Sequence, residues 1–240
     1  MVSYNFRKNA APVATSAPIY LPPATSLPLA TLAPIFNTPI VMPTTTLPST
    51  NAFYDDFSNP KSGWLLQASD NTESSYNSSG FYEMDVKKPD YYLVATSPDN
   101  LSRPLKNVII QVRVQPGQTN TGDYGVVCRY QDIDNFYMAG ISGDQFYIGK
   151  QVKGQWTYLT DPHKQNLPDR TTDADGYKTI GLSCIDSFFV MEINGIGAAH
   201  VSDSEFSSGD PGLVIWGASS AGSSGLFGQA AFDDFKLALP

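Results

Sequence analysis

The sequence predicts an all-β protein in which two antiparallel sheets pack face to face, preceded by a proline/threonine-rich segment. Short apolar segments recur after residue 51 and are separated by Gly, Asn, Asp and Pro, the residues that bound strands. No apolar run at three- and four-residue spacing extends beyond about two turns of helix. The first 50 residues also differ in composition from the rest of the chain. Together these observations favour one β-sandwich on a linker.

Residues 1–50 are predicted to be a disordered linker. They hold nine of the 18 prolines and none of the 19 glycines, and their charged residues are Arg7 and Lys8. Proline removes a backbone donor and holds φ, which excludes helix and central strand. We therefore expect a semi-extended spacer of about 3 Å per residue. Residues 51–240 are then the folded domain, which is long enough to bury a full core.

The folded domain is acidic. Without Arg7 and Lys8 it carries 13 basic and 23 acidic residues, a net charge of −10. Such a surface repels phosphate backbones and excludes nucleic acid as a partner. It suits calcium and neutral sugars, although an acidic surface also serves solubility alone.

We predict a secreted or cell-surface, extracytoplasmic location. Proline/threonine-rich stalks commonly separate an anchor from an exposed domain. No apolar run reaches the 18 residues that a membrane span needs, and MVSYNFRKN shows no export signal. Either an anchor lies upstream of this chain or export uses another route, and the stalk-like composition favours the anchor.

Thirteen strands are predicted from the alternation of apolar and polar residues between turn residues. They are 53–57, 80–86, 91–96, 107–114, 124–130, 135–142, 145–151, 155–159, 177–185, 188–193, 198–201, 212–218 and 230–239. Their spacing of about 8–15 residues is typical of two packed antiparallel sheets.

The central hairpins predict which side chains share a face. Placing Gln131 opposite Phe136, Ile141 opposite Phe146 and Val152 opposite Gln155 predicts three further pairs: Arg129 with Met138, Gly140 with Tyr147, and Gln151 with Trp156. Because neighbours along a strand point to opposite faces, the side chains then fall into two sets. The apolar set is predicted to face the core: Val126, Cys128, Tyr130, Tyr137, Ala139, Ile141, Phe146 and Ile148. The mixed set is predicted to face outward: Arg129, Met138, Gly140, Tyr147, Gly149, Trp156 and Tyr158.

Two cysteines, Cys128 and Cys184, each end an apolar strand segment, YGVVC and TIGLSC. Such strands are easily neighbours in a sandwich, which favours a disulfide closing a loop of 57 residues. The chain-entropy estimate gives about 4 kcal/mol of stabilisation for a loop of that length. The alternative is two buried thiols that act as small apolar side chains.

Several segments resemble one family in order and spacing. They are FYDDFSNPKSGW, YGVVCRYQDIDNFYMAGISGDQFYIGKQVKGQW, FFVMEINGIGAAHVSDSEFSSGDPGLVIWG and FDDFKLAL. Across residues 53–239 the chain resembles laminin-G-like domains of the concanavalin A-like lectin/glucanase superfamily. The resemblance implies a jelly-roll sandwich whose first and last strands are neighbours. The fold hosts lectins, hydrolases and adhesion modules alike, so it does not settle function.

The resemblance also implies a structural calcium near the termini. Neighbouring terminal strands would bring Asp55 and Asp56 close to Asp233 and Asp234, and calcium prefers six to eight oxygen ligands. The alternative is that one aspartate of each pair faces solvent and caps a turn.

Glucanases of this superfamily carry a Glu-x-Asp-x-x-Glu strand, in which the first Glu attacks and the last donates a proton. The nearest match here is Glu83, Asp85 and Lys88, where lysine replaces the proton donor. We therefore predict a protein that is not an enzyme, and a glycoside hydrolase with other residues on the same fold stays the weaker alternative.

Two functions remain open. In the first, Tyr147, Trp156 and Tyr158 stack on the apolar faces of a polysaccharide or glycan, and Arg129 pairs with its hydroxyl groups. In the second, the domain is a calcium-supported adhesion module that binds a cell-surface protein. For the first, the structural alternative is that Trp156 folds over the sheet edge and Arg129 pairs with a carboxylate.

Overall fold

A computed structural model describes residues 52–99, 101, 103–117, 122–161, 167 and 176–240. The predicted linker lies outside these described residues, so its state stays a prediction. Within them, the regular structure consists of fifteen β-strands and no helix. The strands are β1 (Phe53–Asp55), β2 (Gln67–Ala68), β3 (Thr72–Tyr76), β4 (Tyr82–Val86), β5 (Tyr92–Thr96), β6 (Val108–Pro116), β7 (Asp123–Asp132), β8 (Asn135–Ser142), β9 (Gln145–Val152), β10 (Gln155–Tyr158), β11 (Lys178–Ile185), β12 (Phe188–Ile193), β13 (Ile196–Ser202), β14 (Asp210–Trp216) and β15 (Gly228–Ala238).

These strands form two antiparallel sheets. The first has nine strands in the order β13-β12-β11-β6-β15-β4-β3-β2, with β1 also paired to β15. The second has six strands in the order β10-β9-β8-β7-β14-β5. The predicted two-sheet sandwich is confirmed, and so is the pairing of the first strand with the last.

The core lies between the sheets and is built by strand alternation. In β4, Tyr82, Met84 and Val86 are buried, whereas Glu83 and Asp85 point away from the core. Fully burying an aliphatic side chain contributes about 1.5–3 kcal/mol, so this layer supplies the main stabilisation.

The predicted disulfide is confirmed. Cys128 of β7 and Cys184 of β11 are bonded at an S–S distance of 2.05 Å, and both are fully buried in the core. Because β7 and β11 belong to different sheets, the bond links the two layers of the sandwich.

All thirteen predicted strands overlap observed ones, but β2 and β3 were missed. β3 reads TESSY, and its inward residues Thr72 and Ser74 are polar and buried. The Ser74 hydroxyl donates to the Leu65 carbonyl at 2.7 Å. A strand whose inward positions are polar lacks the apolar alternation on which the prediction depends.

The predicted registers are correct for the β8–β9 and β9–β10 hairpins, whereas β7 before its bulge pairs with β8 two residues away from the predicted register. Gly140 lies opposite Tyr147, and Trp156 lies opposite Gln151, as predicted. Between Cys128 and Asp132, however, β7 bulges against β8, and Arg129 has a φ of 51°. The predicted pairing of Arg129 with Met138 is therefore wrong, because Val127 occupies that place.

The bulge exchanges two side chains between the faces of the sheet. Arg129 turns to the inner side, where its guanidinium lies 5.0 Å from the ring centroid of Phe189. Tyr130, predicted to face the core, instead packs on the outer side against Phe136. A bulge re-aims side chains in this way because it breaks strict alternation.

Candidate functional site

The outer face of the six-stranded sheet carries a second apolar cluster, separate from the core. Its buried members are Val94, Val127, Phe136, Met138, Tyr147 and Val214, and Tyr92, Tyr130 and Trp156 pack on them. An outer sheet face is ordinarily polar and solvated, so this apolar layer suggests a function other than folding. We call this surface, together with Tyr158 and Trp216, the aromatic face.

The sheet curls toward the aromatic face. Trp156 lies on β10 and Trp216 on β14, four strands away, which is roughly 19 Å in a flat sheet. Their ring centroids are nevertheless 5.3 Å apart. Likewise, Gln151 of β9 donates from Nε2 to the Tyr92 hydroxyl of β5 at 2.5 Å, again across four strand spacings. Such contacts require a concave face.

Rings from the two edges of the sheet meet over its middle strands. Tyr92 stacks on Trp216 at 4.6 Å, and Trp156 makes edge contacts with Tyr147 at 5.8 Å and with Tyr158 at 5.7 Å. Offset and edge-to-face contacts are the favoured arrangements of aromatic pairs. The rings thus hold one another in position before any ligand arrives.

Gly149 allows Trp156 to reach this position. A Cβ at residue 149 would lie 2.3 Å from Cζ2 of Trp156, well inside van der Waals contact. The space that Gly149 leaves above the backbone is therefore filled by the indole ring.

Three of the four predicted ligand-binding residues lie on the aromatic face, with different accessibilities. Tyr147 is 1% exposed and forms part of the floor. Trp156 is half-buried, and Tyr158 is 48% exposed. Only the latter two offer ring surface to a ligand.

The fourth predicted residue, Arg129, does not belong to this face. It is 2% exposed, and its guanidinium donates to the carbonyl oxygens of Phe206, at 2.7 Å, and of Asp186. The bulge in β7 is the cause, since regular alternation would have placed Arg129 beside Met138.

Sequence reasoning missed Tyr92, Trp216 and Gln151. Tyr92 and Trp216 come from β5 and β14, which join this sheet from distant parts of the chain. The residues around Trp216, LVIWG, carry no pattern that indicates which strands lie beside β14. Gln151 is 1% exposed, and its Oε1 is buried without a hydrogen-bond partner among the described residues.

Asp123 supplies a carboxylate at one end of the aromatic face. Its Oδ2 accepts a hydrogen bond from the Tyr147 hydroxyl at 2.7 Å. Burial raises the pKa of Asp123, and hydrogen bonds from Ser142 and Tyr147 lower it by less. The pKa of the Tyr158 phenol is raised, mainly by burial and secondly by the nearby charge of Asp123. Sequence reasoning missed Asp123 as well.

The carboxylates of the incomplete glucanase motif lie on the other sheet. Glu83 and Asp85 belong to β4, and Glu83 accepts a hydrogen bond from Asn77 Nδ2 at 2.8 Å. Burial raises the pKa of Asp85. Neither carboxylate can act on a ligand bound at the aromatic face, because the sandwich separates them from it.

The four terminal aspartates have protein partners. Asp55 accepts from the Phe57 amide at 2.8 Å and from Trp64 Nε1 at 2.9 Å, using both oxygens. Asp56 is exposed and accepts hydrogen bonds from the amide and the hydroxyl of Ser58. It therefore faces solvent and caps a turn, as in the alternative to a calcium ligand. Asp233 and Asp234 both lie close to the Arg113 guanidinium, at 3.4 Å and 3.5 Å.

These contacts do not fit a calcium site well. A cation would have to displace Arg113 from Asp233 and Asp234. Within the described ranges, no group of three or more His, Cys, Asp or Glu side chains is arranged to hold a metal ion. Calcium at this place stays a prediction from the resemblance.

In the described part of the chain, no helix has the length and apolarity that crossing a membrane demands.

Solved structures with the same architecture place the domain among known folds. The carbohydrate-binding module CBM66 from Bacillus subtilis aligns with a TM-score of 0.56 at 16% identity, over 74% of this chain and 96% of that one. A Bacillus subtilis protein of unknown function with a galectin-like fold aligns at 0.54 and 13%, over 78% and 94%. The β-glucanase of Bacillus licheniformis aligns at 0.52 and 11%, over 80% and 100%.

The chain shares the two-sheet sandwich fold of these three structures. At these identities the alignments establish the fold and leave function open. No protein-family model and no curated protein matches the sequence.

Proposed function

We propose that this concanavalin A-like domain is a non-catalytic carbohydrate-binding module whose ligand lies on the aromatic face. The observation that carries the proposal is the meeting of Trp156 and Trp216 across the concave sheet, with ring centroids 5.3 Å apart. Sugar rings present apolar C–H faces that stack on such aromatic surfaces. A concave, largely apolar surface with a few polar groups is the usual form of a ligand site.

The aromatic face has both kinds of group that a glycan needs. Tyr158 and the half-buried Trp156 and Trp216 offer ring surface. Asp123 offers a carboxylate that accepts hydrogen bonds from sugar hydroxyl groups. Because the rings already pack on one another, little side-chain entropy is lost on binding.

The comparison structures support the proposal. One of the aligned domains is itself a carbohydrate-binding module, and another has a galectin-like fold. The non-catalytic assignment is supported by the position of Glu83 and Asp85 on the opposite sheet. An extracytoplasmic location is supported by the Cys128–Cys184 bond, since disulfides persist in oxidising compartments.

A glycan array tests the proposal. The wild-type chain should bind a neutral glycan, and Trp156→Ala should weaken that binding by about tenfold or more, as expected of a central aromatic contact. Phe188→Ala is the matched control, because Phe188 is a 63% exposed aromatic residue on β12 of the other sheet. It should bind as the wild type does.

Equal glycan binding by folded Trp156→Ala and wild-type chains would refute the aromatic face as the site. A blank array, combined with binding to a purified cell-surface protein, would favour the adhesion alternative instead. Circular dichroism of each variant shows whether the sandwich is intact.

A further inference from the structure

The displaced Arg129 lies against a cavity that is separate from the aromatic face. This cavity has a volume of about 310 Å³ and opens at the rim of the sandwich. It is lined by Lys106 before β6, by the β11–β12 turn at Asp186 and Ser187, and by Ser204 and Ser207 in the connection between β13 and β14. We call it the rim pocket.

The positive charge of Arg129 is incompletely compensated. Its hydrogen bonds go to main-chain carbonyl oxygens, and its Nε is buried with no partner among the described residues. Burial lowers the pKa of this guanidinium, because desolvation disfavours the charged form. A buried cation without a paired carboxylate is costly, which favours an anion nearby.

The other charges around the pocket leave it positive. Lys106 is exposed, and in the described part of the chain it takes part in no ion pair. One carboxylate, Asp186, lines the pocket against the two cations, and it is close enough to act on Arg129. Asp203, which is also close enough to act on Arg129, is already bonded to Lys150 at 2.7 Å. The domain as a whole is acidic, so a pocket lined by two cations differs in charge from the rest of its surface. The need for solubility does not explain this difference.

We propose that the rim pocket binds the carboxylate of a uronic acid residue, at a site independent of the aromatic face. Lys106 and Arg129 attract the carboxylate, and the hydroxyl groups of Ser187, Ser204 and Ser207 face the ring hydroxyls. The volume, at the small end of ligand pockets, suits one sugar residue. The bulge in β7 thus moves the Arg129 side chain from the aromatic face to the rim pocket.

Calorimetric titration with sodium glucuronate, at constant ionic strength, tests the site, with glucose and sodium acetate as comparison ligands. Glucuronate should bind the wild-type chain, acetate more weakly, and glucose not at this site. Lys106→Glu reverses an exposed charge and should weaken glucuronate binding by about tenfold. Lys61→Glu makes the same charge change on an exposed lysine outside the pocket, and it should leave glucuronate binding unchanged.

Trp156→Ala separates this proposal from the preceding one. It should weaken neutral-glycan binding by about tenfold or more and leave glucuronate binding intact, so either site can fail alone. The rim-pocket assignment is overturned if the wild-type chain does not bind glucuronate, or if Lys106→Glu binds it as well as Lys61→Glu does. Equal affinity for acetate and glucuronate would overturn the sugar part of the proposal.

Discussion

The concave aromatic face depends on Gly149, and the substitution Gly149→Ala tests that dependence. The added Cβ would lie 2.3 Å from Cζ2 and 2.8 Å from Cη2 of Trp156, and 3.0 Å from the Thr157 carbonyl oxygen. Ordinary carbon–carbon contact is about 3.5–4.0 Å, so the indole must move by roughly 1 Å or more. Overpacking of this kind typically costs about 1–3 kcal/mol of stability.

Because Trp156 contacts Trp216 and Tyr158, its displacement should disturb the whole aromatic face. We expect a lower urea midpoint, a changed near-ultraviolet circular dichroism spectrum and weaker glycan binding. Gly181→Ala is the control, since Gly181 is also a strand glycine but lies in β11, where the atoms nearest to a Cβ would belong to Glu192, at 3.3 Å and beyond. Its spectrum should match the wild type.

An unchanged near-ultraviolet spectrum and an unchanged urea midpoint for Gly149→Ala would refute the packing of Trp156 on β9. The concave geometry inferred from the Trp156–Trp216 contact would then need another explanation.

Two further predictions concern the disulfide and Asp123. Replacing Cys128 and Cys184 by alanine should lower the free energy of unfolding by about 4 kcal/mol, as measured by urea denaturation, and a loss below about 1 kcal/mol would contradict the loop-entropy reasoning. Asp123→Asn keeps an acceptor for the Tyr147 hydroxyl but removes a carboxyl whose pKa is raised in the folded state. The ionised carboxyl costs stability above that pKa, so the variant should be equally or more stable at pH 7, and its advantage should vanish as pH falls below the unfolded-state pKa. Its glycan affinity should nevertheless fall, and unchanged affinity would show that Asp123 does not touch the ligand.

Local pattern was enough to predict most strands. β8 and β9 are short, largely apolar segments bounded by turn residues, and their tight turn at Gly143 sets the register, so Gly140 was correctly placed opposite Tyr147. β3 failed the same test because Thr72 and Ser74 point inward and are satisfied by hydrogen bonds.

The candidate site was only partly predictable. Tyr147, Trp156 and Tyr158 follow one another along two adjacent hairpin strands, so alternation placed them together. Tyr92 and Trp216 belong to strands that reach this sheet through long-range pairing, and local pattern carries no information on such neighbours. Arg129 was misplaced because a bulge depends on how β7 fits between β8 and β14, and both of those pairings shift register near it.

The sequence by itself determined the all-β class, the positions of most strands, the inward placement of Cys128 and the aromatic character of the outer face. These follow from the two-residue period of a strand and from turn residues, which are local properties. Tertiary structure alone decided that the six-stranded sheet curls, that Trp216 meets Trp156, and that Arg129 leaves the aromatic face for the rim pocket. Curvature and bulges arise from the fit between strands that are distant in sequence, so no single strand encodes them.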